Sequence, residues 1–189
     1  MSHRSSINVA RALVKSFENT AYRRRDLIGL LRAEGWQLLG RGAFAAVMGH
    51  PDHPTVAIKV GQRTAPARRY RKITDGFLEY IEATEDSRSK FRLKTYEVVR
   101  LGGRNDTYLV AMERCFKSKG RKASMSIKNA GTLATWGRAY SWLPKPDAWA
   151  TRFLKKLTSL GGVLDLHGGN IMVRADGTPV ITDPLIYRG

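Results

Sequence analysis

An aspartate, an asparagine and a second aspartate stand at Asp165, Asn170 and Asp183, five and thirteen residues apart. They lie in Leu164-Asp165-Leu166-His167-Gly168-Gly169-Asn170 and in Val180-Ile181-Thr182-Asp183-Pro184. Phosphoryl transfer needs these residue types. One carboxylate takes the proton of the attacking hydroxyl, an amide oxygen on the same loop holds a metal, and a second carboxylate anchors Mg²⁺ across the phosphates. Any one of the three is weak evidence, and the spaced set is strong. Between Asn170 and Asp183, Ile171-Met172-Val173-Arg174 and Pro179-Val180-Ile181-Thr182 flank Ala175-Asp176-Gly177, which reads as a β-hairpin. A hairpin returns the chain to its starting point, so Asn170 and Asp183 are expected to face one site.

A complement lies upstream. Leu39-Gly40-Arg41-Gly42-Ala43-Phe44-Ala45-Ala46-Val47 fits a glycine-rich loop between two strands, with Gly40 and Gly42 allowing the backbone to approach phosphate. Ala45 stands where a third glycine is usual, a restriction only if that position needs positive φ. After the turn at Pro51-Asp52-His53-Pro54 comes Thr55-Val56-Ala57-Ile58-Lys59-Val60, a β-branched run interrupted by one lysine. A strand lysine is ordinarily a solvated edge charge. Behind a glycine-rich loop, the better assignment for Lys59 is a ligand of the α- and β-phosphates.

With these motifs the chain resembles the protein-kinase-like superfamily. The fragments "LLGRGAFAAVMGHPDHPTVAIKVG" and "LDLHGGNIMVRADGTPVITDP" are similar to the early serine/threonine protein kinases of lytic podovirus-type bacteriophages that carry their own single-subunit RNA polymerase. The likeness runs roughly from Gly35 to Pro184, with specific motifs at both ends and a poorly matching middle. It implies an ATP- and Mg²⁺-dependent enzyme made early in infection. Such an enzyme works in the host bacterial cytoplasm on host proteins of transcription and RNA metabolism. It also implies roles: Asp165 as catalytic base, Asn170 and Asp183 as metal ligands, and Gly40, Gly42, Val47, Ala57 and Lys59 around the nucleotide. Glu79 is the candidate to pair with Lys59, although Glu82 is near and a surface carboxylate is an equal alternative. Met112-Glu113-Arg114-Cys115 falls at the hinge, where the main chain of Glu113 and Cys115 would meet adenine and Met112 would line the back of the pocket. His167 is implied at the γ-phosphate, with a loop-ordering hydrogen bond as its other role.

The chain also departs from the kinase pattern. Val163 stands where a His-x-Asp start is usual, and Asp-Phe-Gly has become Asp183-Pro184-Leu185. Six residues follow Asp183, so no activation segment or lower helical subdomain is expected, and nucleotide binding is better supported than the mode of protein-substrate binding. Two rival readings stay open. One is a compact atypical kinase or ATPase acting on RNA or an RNA-associated complex, and the other is a non-catalytic kinase-fold inhibitor of host machinery.

The 189 residues suit one domain or two small lobes. Lys and Arg number 33 against 16 Asp and Glu, a formal charge of +17 and a pI near 10.5. Contact with polyanions follows directly, either as non-specific nucleic-acid binding or as recruitment to acidic or nucleic-acid-bound host proteins. A single cysteine, Cys115, excludes an intrachain disulfide and a zinc site built on a cysteine cluster. The four histidines show no metal-ligand spacing, and His50 and His53 are expected in a turn. No apolar run approaches the ~20 residues of a membrane span and the start lacks a signal core, so an unexported protein off the membrane is expected.

The expected architecture is α+β, a minimal kinase-like fold of two lobes. A helical extension occupies 1–35, a five-stranded lobe 36–113, and a truncated helical lobe with the catalytic loop 114–189. Ser6 is expected to cap a first helix carrying Ala10, Leu13, Val14 and Phe17, and Leu27, Ile28, Leu30 and Leu31 mark a second. Arg23-Arg24-Arg25 reads as a solvated face, with an anionic-partner patch as the alternative. A helix is expected from about Pro66 to Thr84, and a mobile basic loop at Lys117-Ser118-Lys119-Gly120-Arg121-Lys122. A helix from Pro146-Asp147 is expected to carry Trp149, Phe153, Leu157 and Leu160 into the core.

Overall fold

The computed structural model describes residues 2–64, 73–103, 105–118 and 120–188. The chain divides into two units, Met1–Thr74 with Lys94–Arg114, and Asp75–Leu93 with Cys115–Gly189. Among the described residues no helix is long and apolar enough to cross a membrane.

In the first unit, α1 (His3–Ser16) and α2 (Arg24–Ala33) precede a five-stranded antiparallel sheet. Its strands are β1 (Gln37–Arg41), β2 (Ala45–His50), β3 (His53–Gln62), β5 (Thr95–Gly102) and β6 (Thr107–Glu113), in the order β1-β2-β3-β6-β5. The five strands expected from the alternating pattern are all present. The cap of α1 is Ser2 rather than Ser6, its hydroxyl accepting from Ser5 N at 3.2 Å. Ser6 lies inside the helix, because its spacing of four from Ala10 and Ala10's from Val14 puts all three on the buried face. That face, with Leu27, Leu31 and Trp36, covers Met48, Val56, Ile58, Val60, Val99, Leu109 and Ala111. Each such aliphatic side chain removed from water contributes about 1.5–3 kcal/mol. Alternate residues therefore point to the other face of the sheet, among them Val47, Ala57, Lys59, Val110 and Met112.

The second unit holds α3 (Phe77–Ala83), α4 (Arg121–Trp136) and α5 (Ala148–Thr158). It also holds two three-stranded sheets, so it is less purely helical than expected. One is ordered β10-β9-β7, from β7 (Phe116–Lys117), β9 (Ile171–Val173) and β10 (Pro179–Ile181). The other is ordered β4-β11-β8, from β4 (Ile73–Asp75), where the chain passes between units, β8 (Val163–Leu164) and β11 (Leu185–Arg188). Its core gathers Phe77, Tyr80, Phe91, Phe153, Leu154, Leu157, Ile181 and Leu185, all buried. Phe153 meets Tyr80 edge-on at 6.4 Å and Phe91 at 6.5 Å. The Tyr80 hydroxyl donates to Ile181 O and accepts from Leu93 N, so the buried phenol is satisfied.

Four expectations change. Of the helix expected over Pro66 to Thr84, residues 65–72 lie outside the described residues, Ile73–Asp75 is a strand, and only Phe77–Ala83 is helical. α3 also belongs to the second unit, although the sequence reading groups it with 36–113. The basic segment is not one loop: Lys117 ends β7 and Arg121 opens α4, while Lys119 lies outside the described residues. α4 escapes the periodicity signal because its buried positions Ile127, Asn129, Ala130 and Gly131 are mostly small or polar. Trp149 is 66% exposed, since the buried stripe of α5 is Ala150, Phe153, Leu154 and Leu157, which leaves Trp149 at its margin.

Candidate active site

Two strand pairings bring the second unit's residues together. The segment Asp165–Asn170 leaves β8 and enters β9, and the segment Thr182–Pro184 leaves β10 and enters β11. β9 pairs antiparallel with β10, Ile171 opposite Ile181, and β8 pairs with β11, Leu164 opposite Leu185. The two connecting segments must therefore lie against each other. Thr182 N donates to Asn170 O at 2.9 Å at one end, and Asp165 N donates to Pro184 O at 2.7 Å at the other. Asp183 sits between those two bonds. The hairpin turn is closed by Gly177 N donating to Arg174 O at 3.0 Å and by Thr178 N donating to Asp176 Oδ1 at 2.8 Å, with Gly177 at φ 83°. The bond from Thr178 holds the exposed Asp176 carboxyl below its ordinary pKa.

Within the loop, the Asn170 side chain is 8% exposed and its Nδ2 donates to Asp165 O at 2.7 Å. That bond fixes the amide orientation and turns Oδ1, the atom able to bind a cation, the other way. His167 Nδ1 accepts from Gly169 N at 3.0 Å, so in the neutral ring the proton is on Nε2, 3.6 Å from Asp165 Oδ2. His167 thus makes the loop-ordering bond and also faces the Asp165 carboxylate. Leu166 anchors the loop to α4, with its Cδ1 2.3 Å from where a Cβ on Gly131 would stand.

The first unit collects the other set. Gly40 pairs with Val47, Val47 with Lys59 and Lys59 with Val110, one row across four strands. Gly49, Ala57 and Met112 form the neighbouring row on the same face. Lys59 is 2% exposed, so it is not a solvated edge charge. A Cβ on Gly40 would meet nothing within 4 Å, and one on Gly42 only Ala45 O at 3.9 Å. Neither has positive φ, so the folded chain itself does not require glycine at either place. Ala45 also has no positive φ, so alanine carries no backbone strain there.

Glu113 N donates to Lys94 O at 2.9 Å, and its carboxylate accepts from Lys94 N at 2.8 Å, fastening the end of β6 to the start of β5. The half-buried Cys115 begins the second unit's last segment. Glu79 lies in the first turn of α3, in the second unit, while Lys59 belongs to the first. His50 and His53 flank the β2–β3 turn with rings 4.9 Å apart, packed on Trp36.

Sequence reasoning missed two positioning residues. Arg24 is half-buried rather than solvated, and its Nη1 donates to Ala43 O at 3.2 Å, bracing the β1–β2 loop. Burial, and then the neighbouring Arg41, lowers its pKa. Arg174 donates to Lys90 O and Arg92 O, both at 2.7 Å, and ties the hairpin to the segment before β5. Both resemble ordinary surface arginines in sequence, because their acceptors are main-chain carbonyls far along the chain.

Asn170, Asp165 and Asp183 offer an amide oxygen and two carboxylates, the hard-oxygen donor types that Mg²⁺ takes. Among the described residues no group of three or more His, Cys, Asp or Glu gathers to hold a metal. No protein-family model and no curated protein matches the chain.

Proposed function

We propose that the chain is a Mg²⁺- and ATP-dependent serine/threonine protein kinase of the phage early type, with a minimal kinase-like fold. It acts in the host bacterial cytoplasm on proteins of transcription and RNA metabolism. The observation that carries this reading is the clamp that holds Asp183 between the Thr182–Asn170 and Asp165–Pro184 bonds. It sets side by side the two chain segments that carry the carboxylates and the amide phosphoryl transfer needs. The buried Lys59 and the open backbone at Gly40 and Gly42 add support, because the fold alone gives no reason for glycine there.

In this reading Asp165 accepts the proton of the acceptor hydroxyl as its oxygen bonds the γ-phosphorus and the bond to the β–γ bridging oxygen breaks. His167, proton on Nε2, steadies the Asp165 carboxylate. Asn170 Oδ1 and Asp183 would hold Mg²⁺, which when bound would supply charge neutralisation at the phosphates. Lys59 would neutralise the α- and β-phosphates, and the main chain of Glu113 and Cys115 would meet adenine.

The test supplies labelled ATP and Mg²⁺ with host protein and, separately, host RNA. Asp183→Asn, Asp165→Asn and Lys59→Ala are each expected to lower transfer by on the order of a hundredfold or more while the fold persists. Wild-type transfer by folded Asp183→Asn sinks the reading. Label on RNA alone shifts it to an RNA-acting kinase, and no label on either leaves the non-catalytic inhibitor.

A further inference from the structure

Tryptophan is ordinarily well covered in a folded chain, yet in the second unit Trp136 is 73%, Trp142 74% and Trp149 66% exposed, with Tyr140 at 38%. These rings sit at the end of α4, in the connection at 137–147 and in the first turn of α5. The Tyr140 and Trp142 rings stack at 4.3 Å and 25°, and the Arg152 guanidinium lies over the Trp149 ring at 5.0 Å.

The connection is not a loose loop. Asn129, 1% exposed in α4, donates through Nδ2 to Tyr140 O and Pro144 O, both at 3.0 Å, and accepts from Tyr140 N at 2.7 Å. Ser126 Oγ donates to Lys145 O at 2.6 Å. These bonds lay the connection back along α4, so Tyr140 is held beside Asn129, about 10 Å along the helix from Trp136 at 1.5 Å per residue. Rings held on such a frame lose little freedom when a flat partner stacks on them.

The surrounding charge selects the partner. From Arg114 to Leu164 the sequence has eleven Lys or Arg and one acid, Asp147. Asp147 Oδ1 is occupied in capping α5 through Ala150 N at 2.8 Å. Arg138, Lys145, Arg152, Lys155 and Lys156 are all exposed. A second copy of the same basic face would be repelled. A membrane-seated surface would carry exposed leucine or phenylalanine beside its tryptophans, and here the exposed sequence neighbours of the rings are Gly137, Ala139 and Ser141 with bases, while Leu143 is half-buried. Flat apolar rings amid unpaired cations fit a ligand that offers π faces and phosphates together. Duplexes hide their base faces, whereas RNA offers them in loops, bulges and ends.

We propose that this face of the α4–α5 pair binds unpaired RNA, with bases stacking on Trp142, Trp149 and Trp136 and phosphates held by the neighbouring Lys and Arg. This binding is separate from phosphate transfer and does not rest on it.

The test is fluorescence anisotropy of a short labelled oligouridine with the full chain, alongside quenching of the intrinsic tryptophan signal. Binding is expected to weaken roughly tenfold in Trp142→Ala and to recover in Trp142→Phe, since stacking needs only an aromatic face. It should weaken steeply from about 50 to 200 mM salt. Circular dichroism should be unchanged, because the ring is exposed. Equal affinity for duplex RNA, or binding of oligothymidine without oligouridine, overturns the assignment. So does undiminished oligouridine binding by the chain carrying Trp136→Ala, Trp142→Ala and Trp149→Ala together. Tryptophan-dependent binding to anionic vesicles, or tryptophan-dependent dimerisation, with no oligouridine binding overturns it as well.

Discussion

Replacing Asn170 separates the two tasks given to one side chain. Its Nδ2 donates to Asp165 O at 2.7 Å from a site 8% exposed, so Asn170→Ala leaves that carbonyl short of a donor. Losing this part-buried hydrogen bond costs about 0.5–1.5 kcal/mol, since water can reach the freed carbonyl. For a chain of this size each kcal/mol moves the melting temperature by about 2–4 °C, so a fall of roughly 1–6 °C is expected. The proposed metal ligand goes too, and on that proposal transfer should drop on the order of a hundredfold or more. Asn170→Asp keeps a hard oxygen but turns a carboxylate toward the Asp165 carbonyl. Its melting temperature should fall at least as far, while its Mg²⁺ requirement rises less than that of the alanine variant. Thermal melts without nucleotide measure the first effect, and Mg²⁺ titrations of phosphate transfer measure the second. An alanine variant that melts like the parent and needs no more Mg²⁺ refutes both the strut and the ligand assignment.

Mg-ATP should raise the melting temperature, since ligand at 100 times its Kd stabilises the folded state by about 2.7 kcal/mol, and EDTA should reverse most of it. An unchanged curve across millimolar Mg-ATP counts against a nucleotide site. Gly61→Ala should destabilise the first unit by about 1–3 kcal/mol, because the new Cβ would stand 2.0 Å from Cζ of the fully buried Tyr108 ring. A melt within a degree of the parent would show that the ring is free to move. Replacing Lys117 and Lys122 with neutral residues should weaken labelling of acidic host proteins at low salt and flatten its salt dependence, leaving ATP binding unaltered, because surface charge mainly speeds encounter.

The sequence by itself determined the elements whose signal is written along one stretch of chain. The five strands and the faces of α1 and α2 follow from apolar residues repeating at two or at three to four. The hairpin from Ile171 to Ile181 follows from two short β-prone runs around Asp176-Gly177. It also determined the residue types and spacing of Asp165, Asn170 and Asp183. Tertiary structure alone decided what holds them. β8 is two residues long, too short for any periodicity, yet its pairing with β11 sets Asp165 N against Pro184 O. The brace from Arg24 to Ala43 O, the clamp of Arg174 and the buried Asn129 depend on main-chain groups that only folding puts opposite them. Trp149 lay outside the buried stripe for a similar reason, since a helix face is covered only where another element reaches it. Periodicity records which face of an element is apolar; partners distant in sequence leave no period, and they decide which polar atoms meet.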